Sequence, residues 1–202
     1  MNRVGPARLG RDFYRRDSRL VAPDLLNKVL CRTGPGNQVR SGRIVEVEAY
    51  CGAIDAGSHA YRGRTRRNAT MFGPAGHLYV YFTYGMHHCA NATCGEEGQA
   101  MAVLIRALAP VDGVDYMSDL RPRAVRTRDL TNGPAKLCQA LGLDRSFDGV
   151  DLVDGGAGIC ILDAGAGPPA RPANGVRIGL SAGREHPWRW WVDGDEHVSR
   201  RG

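Results

Sequence analysis

Two carboxylates two residues apart, Glu46 and Glu48, stand inside the apolar run Ile44-Val45-Glu46-Val47-Glu48-Ala49-Tyr50. Read as a strand, the period of two puts Ile44, Glu46, Glu48 and Tyr50 on one face and Val45, Val47 and Ala49 on the other, a core face. Like charges on one face repel, which directs at least one of them to solvent, to a cleft or to a cationic partner. Arg106 offers such a partner. It interrupts the apolar run Met101-Ala102-Val103-Leu104-Ile105-Arg106-Ala107-Leu108, where a guanidinium needs a carboxylate or several carbonyls around it. An Arg–Glu pair can be structural glue, or can hold a carboxylate base ionised and aimed in a cleft. The residue pattern leaves both open.

A second group is aromatic. In His77-Leu78-Tyr79-Val80-Tyr81-Phe82 the alternation sets Tyr79 and Tyr81 opposite Leu78, Val80 and Phe82. Tyrosines so placed are half-buried sheet residues or flat platforms for nucleobases. Tyr84 and Met86 fall in the tight connection that follows, where exposed bulky side chains suit a wedge driven between base pairs. The six cysteines (Cys31, Cys51, Cys89, Cys94, Cys138, Cys160) form no CxxC pair and read as reduced, buried small hydrophobes. Cys89 and Cys94, near His87 and His88, lack a second matched pair, so no metal is expected, and no cofactor.

The elements that must position these groups follow from punctuation and periodicity. Ala22–Leu30 reads as a short helix running into a strand, with Pro23 in its first turn. Gly34-Pro35-Gly36-Asn37 is a turn joining strands Val29–Arg32 and Arg40–Tyr50 as a hairpin. A polar loop over 51–69 carries Arg62, Arg64, Arg66 and Arg67. Strands are expected at His77–Phe82, through Cys94, and at Ala100–Leu108. Helices are expected at Val111–Leu120 and Pro134–Leu141, the latter with Gly133-Pro134 at its start. Ala164–Asn174 reads as a loop, followed by strands Val176–Leu180 and Trp188–Val192. The tryptophans read as core or interface. The expectation is a single α+β domain over 1–202: a curved antiparallel β-sheet with surrounding helices, a protruding β-hairpin and a flexible N-terminal segment over 1–20.

With 202 residues, 43% hydrophobic and 24% charged, the chain can bury one proper core. No apolar run nears the ~20 residues of a membrane span, and Met1–Arg19 has no apolar core, so a cytoplasmic protein is expected. The net charge of +6 sits wholly in residues 1–101, with 14 Lys/Arg against 8 Asp/Glu; residues 102–202 balance at 13 each. An arginine-rich composition can reflect base composition of a genome, yet a basic half also suits an anionic partner such as nucleic acid.

Taken together, several blocks closely resemble the alkyladenine (3-methyladenine) DNA glycosylase family of the mammalian type. They are Arg43–Tyr50 with Ser58-His59-Ala60, Met71-Phe72, Gly76–Met86 with Cys89 and Asn91, Val103–Leu108, and Asn132–Leu141, spread in family order from about Leu25 to Val198. The resemblance implies an enzyme that flips a damaged purine out of duplex DNA and hydrolyses its N-glycosidic bond, starting base excision repair. It implies Glu48 as the general base, with Arg106 and the backbone carbonyl of Ile178 helping to place the attacking water. Tyr50, His59 and Tyr81 would sandwich the flipped base, with Asn91 crowding a guanine amino group and Leu104 and Met71 lining the pocket. Tyr84 would fill the gap in the duplex with Met86 beside it, and Arg64, Arg67 and Lys136 would contact phosphates. Arg66 departs from the family, which has proline there. The implied partner is double-stranded DNA containing a damaged purine, with no obligate protein partner. Binding of damaged DNA without catalysis, and an RNA-directed nucleosidase, are the competing readings. Chemistry through an amine nucleophile is not expected, because Lys28 and Lys136 are the only lysines and both look badly placed.

Overall fold

The computed structural model describes residues 6–83 and 85–199. Its spine is the thirteen-residue strand β3 (Val39–Cys51). One edge of β3 pairs along most of its length with β6 (Met101–Asp112). The other edge is shared, first by β2 (Val29–Thr33) and then by β9 (Arg189–Trp191), which pairs with Glu46, Val47 and Glu48. Outward from β6 lie β5 (His87–Cys94) and β4 (Leu78–Thr83); beyond β2 lie β7 (Ile159–Asp163) and β1 (Ala7–Arg8). A short β8 (Ala173–Gly175) flanks β9. All these pairings are antiparallel, and with the four helices among the described residues they make the expected open-sheet α+β architecture.

The helices are α1 (Arg11–Tyr14), α2 (Ser18–Leu25), α3 (Val114–Leu120) and α4 (Pro134–Leu141). α4 runs over the expected residues, from Pro134 to a left-handed Gly142 whose N–H closes onto Cys138 and Gln139. α2 starts earlier than expected. The Asp17 side chain caps it by accepting from the Arg19 N–H, which leaves Pro23 in the last turn rather than the first. α3 starts later, because Val111 and Asp112 stay in β6. Within the N-terminal segment, residues 6–20 carry β1 and α1, and their Leu9 and Tyr14 are buried in the core. Lys28 belongs to no helix. It lies at the entry to β2, buried and 2.9 Å from Asp163.

One face of the sheet carries the main core. Val21, Ala22 and Leu25 of α2 and Leu137, Cys138, Ala140 and Leu141 of α4 pack there with Leu78, Val80, Val103, Ile105 and Leu108. Cys51, Cys89, Cys94 and Cys138 are buried, whereas Cys31 and Cys160 are only half-buried and oppose each other across β2 and β7. All six are free thiols.

The strict alternation predicted for β3 does not hold, and the reason is a pair of bulges. Ile44 opposes Leu108 and Glu46 opposes Ala107, so Val45 is an extra residue on β3; Val47 then opposes Ile105, so Arg106 is an extra residue on β6. Ile44 therefore shares the main core with Val47 and Ala49. Val45, expected there, packs instead with Ala107, Ala109 and Val198 on the opposite face, beside the carboxylates.

The β4–β5 hairpin protrudes as expected. β5 pairs with β6 only from Asn91 onward, so its outer part, from His87 to Ala90, parts from β6 and pairs with β4. Phe82 and Met86 are exposed near its tip, Met86 by 71%. The wedge role expected of Tyr84 falls outside the described residues. Val176–Leu180, expected as a strand, forms none: β8 ends at Gly175, and the Ile178 N–H is engaged by a carboxylate side chain instead of a neighbouring strand.

Candidate active site

Strand register assembles the site. Tyr79 opposes Asn91, Asn91 opposes Leu104, Leu104 opposes Glu48 and Glu48 opposes Arg189, which makes one row of side chains across five strands. Directly opposed residues in antiparallel strands share a face, so this row forms a continuous floor. Above it lies a cleft of about 310 Å³ lined by Tyr50, His59, Met71, Tyr81, Asn91, Leu104, Arg106 and Ile178, among others. Every residue the resemblance placed around a flipped base is in that lining.

Glu48 lies just beneath it, fully buried. Its Oε1 accepts from the Ile178 N–H at 2.8 Å and pairs with Arg106 Nη1 at 3.0 Å; its Oε2 accepts from the Tyr50 hydroxyl at 2.9 Å. Ile178 thus fixes Glu48 through its N–H, a contact separate from the water-placing role that the resemblance implies for its carbonyl. A carboxylate offers about four acceptor positions. The three donors among the described residues leave one, on Oε2, next to a cleft-lining tyrosine. Burial, then the neighbouring Glu48, push the Tyr50 phenol well above its ordinary pKa, so it stays a donor.

Glu46 is held differently. Its Oε1 accepts from Arg106 Nε at 2.8 Å, Arg189 Nε at 2.8 Å and Ser199 Oγ at 3.0 Å, and its Oε2 from the Ser199 N–H at 2.7 Å. Two carboxylates and two guanidiniums make the cluster electrically balanced, which is what permits four charged groups to be this deeply buried. Burial works against the Arg106 charge, but Glu48 and Glu46 outweigh it and raise its pKa. Arg106 thus bridges Glu46, which accepts from four donors among the described residues, and Glu48, which accepts from three.

The aromatic wall is equally built. His59 meets Tyr81 edge-on at 4.5 Å between ring centres, and its Nδ1 lies 3.0 Å from the Tyr79 hydroxyl. The loop bearing His59 is tied down by Asn68, whose Nδ2 donates to the His59 carbonyl at 2.8 Å. Asn91 is fixed through its own amide, which donates to the Tyr79 carbonyl at 3.0 Å. Burial, and next the charge of Arg67, lower the His59 pKa below 6.5, so the ring is neutral at pH 7. A group with a depressed folded pKa contributes stability that is full above its unfolded value and is lost as pH falls through the folded one. Thermal melts should accordingly show an acid-side loss beginning below pH 6.5, and His59→Gln should lack the part of it due to this ring.

The phosphate-contact candidates lie outside the cleft lining. Arg64 and Arg67 are exposed on the loop after His59, with the Arg67 guanidinium 5.6 Å from the Tyr81 ring. Lys136, on the first turns of α4, donates to Asn132 at 2.6 Å and lines an adjoining hollow with His87, Arg121 and Pro134; Pro134 lines both. Among the described residues no group of three or more His, Cys, Asp or Glu is placed to hold a metal ion.

Sequence reasoning did not find the buried pair Asp55–Arg177 behind Tyr50, nor Arg189 and Ser199 around Glu46. Arg189 was legible: in Trp188-Arg189-Trp190-Trp191, Trp188 and Trp190 alternate into the main core, which turns Arg189 to the carboxylate face.

The chain is similar to known proteins along most of its length. Residues 12–196 fit the family model described as methylpurine-DNA glycosylase. A protein of Burkholderia lata described as "Putative 3-methyladenine DNA glycosylase" is 54% identical over 95% of this chain and 90% of its own length. Proteins with the same description from Streptomyces avermitilis (49% identical; 95% of this chain, 90% of its own) and Carboxydothermus hydrogenoformans (47%; 96% and 99%) are similar throughout. These relatives are bacterial, so the mammalian qualifier attached to the resemblance is not carried further. With the family's model spanning nearly the whole chain, the protein belongs to the methylpurine-DNA glycosylases.

Proposed function

We propose that this DNA glycosylase is monofunctional, acting on alkylated or deaminated purines such as 3-methyladenine and hypoxanthine in double-stranded DNA. The observation that carries the reading is Glu48, held by Ile178, Arg106 and Tyr50 with one acceptor position left on Oε2. A purine flipped into the cleft stacks on Tyr50, His59 and Tyr81, while Asn91 and Leu104 bound its edge. As the N-glycosidic bond breaks, its electron pair leaves with the base and the sugar gains positive charge, which the fixed carboxylate stabilises. Glu48 Oε2 takes the proton of the water that adds to the sugar carbon. Arg106 keeps Glu48 ionised and fixed in direction. Met86 at the hairpin tip, with Tyr84, fills the duplex gap, and Arg64, Arg67 and Lys136 hold the backbone.

Neither lysine lines the cleft, which supports the absence of an amine nucleophile there. The test is single-turnover base release from matched duplexes, each with one lesion, in the presence and absence of borohydride. Release without a trapped covalent adduct is expected. An adduct that depends on Lys28 or Lys136 would overturn the monofunctional reading, and tight lesion binding with no release would leave a damage-binding protein.

A further inference from the structure

Arg177 is a buried charge that the reaction just described does not use. Its Nη1 donates to Asp55 Oδ2 at 2.5 Å and to the Ala49 carbonyl at 3.0 Å; its Nη2 donates to Asp55 Oδ1 at 2.7 Å and to the Gly183 carbonyl at 2.9 Å. Space around it is tight: a Cβ on Gly57 would come within 2.9 Å of Nη2, and one on Gly183 within 3.1 Å. Asp55 in turn caps the turn leading to His59, accepting from the Cys51 and Gly57 N–H groups. The guanidinium therefore ties the loop that carries Ile178 to the loop that carries His59.

It also lies 4.7 Å from the centre of the Tyr50 ring and 5.1 Å from that of Trp188. Tyr50 lines the cleft and Arg177 does not, so the guanidinium contacts the ring from outside the cleft. A ring that already faces one cation attracts a second on its other face poorly: its π density is drawn to the first, and the two charges repel. Burial and Glu48 push the Tyr50 phenol up, and Arg177 pulls it down. Arg67 near Tyr81 adds a second positive charge, although an exposed one that solvent screens.

We propose that Arg177 is a specificity-determining residue acting through Tyr50, and that by backing the stacking ring with a buried positive charge it biases the cleft toward neutral purines over cationic ones. The inference rests on the glycosylase reading and deepens it.

The experiment measures single-turnover release of neutral hypoxanthine and cationic 7-methylguanine from matched duplexes. Four proteins are compared: wild type, Arg177→Met, Arg177→Lys, and the double variant Asp55→Asn/Arg177→Met, which leaves no unpaired buried carboxylate if the single Met variant does not fold. Comparing the ratio of the two rates between proteins removes the intrinsic difference in bond lability. The cationic-to-neutral ratio should rise roughly tenfold in the Met variants, the scale of one desolvated cation–π contact, and stay near wild type with Lys. A purely structural role would slow both lesions alike, and an unchanged ratio in a folded Met variant overturns the inference. If the wild type releases neither base, the glycosylase reading fails. The inference is then decided by the ratio of dissociation constants for free hypoxanthine and the 7,9-dimethylguaninium ion in the same proteins, with the same two outcomes.

Discussion

Glu48→Gln is expected to slow base release by about 10²- to 10⁴-fold, the range of a lost general base, while leaving affinity for lesion-containing duplex nearly unchanged. The amide keeps the shape of the carboxylate: its oxygen can still accept from the Ile178 N–H while its nitrogen donates to the Tyr50 hydroxyl oxygen, so the aromatic cleft above it persists. What is lost is the acceptor for the water proton and the negative charge facing the sugar cation. Single-turnover release and equilibrium binding on the same duplex separate the two. A variant that releases base at the wild-type rate removes Glu48 from the mechanism. One that no longer binds assigns it to the architecture of the pocket.

Glu46→Ala is expected to act on stability instead. It would leave the guanidiniums of Arg106 and Arg189 without the carboxylate that each contacts at 2.8 Å, and would release Ser199. Removing one partner of a buried ion pair typically costs about 3–5 kcal/mol, which for a chain of this size lowers the melting temperature by roughly 10 °C. Arg106 keeps Glu48, so residual activity in the folded fraction should survive better than in Glu48→Gln. Thermal melts read alongside single-turnover rates test this. An unshifted melt would mean that Glu46 does not anchor β9 and the chain around Ser199 to β3. The contrast between two carboxylates of one strand, one governing rate and the other stability, follows from how many acceptor positions each has filled.

Much of this site is legible in the residues because a sheet converts sequence spacing into neighbourhood. Tyr79 and Tyr81 on one face of their strand, and an arginine inside an apolar strand in need of a carboxylate, require only a period of two and the cost of burying charge. Helix α4 is legible for a similar reason, with Pro134 and Gly142 marking its ends. Other parts depend on contacts that local pattern does not carry. Ile178 reaches Glu48 by its backbone N–H, across 130 residues of chain, and Asp55 and Arg177 meet across 122. Val176–Leu180 has the composition of a strand, yet its backbone donor goes to a side chain. The burial of Val45 on the unexpected face had no local signal either, because a bulge is a property of two strands together.

That doubled irregularity bears on how the chain finds its pairing. Val45 on β3 and Arg106 on β6 are surplus residues that offset one another, so the two strands fall back into step on both sides. A pairing displaced by one residue during folding would turn Glu46 and Glu48 toward the main core, where Leu78, Val103 and Ile105 pack and no guanidinium waits. Burying unpaired carboxylates there costs several kcal/mol each, far more than the apolar contacts of a short misaligned ladder return. The charges proposed to serve chemistry in the finished protein thus also weigh against a slipped alignment of the central strands during assembly.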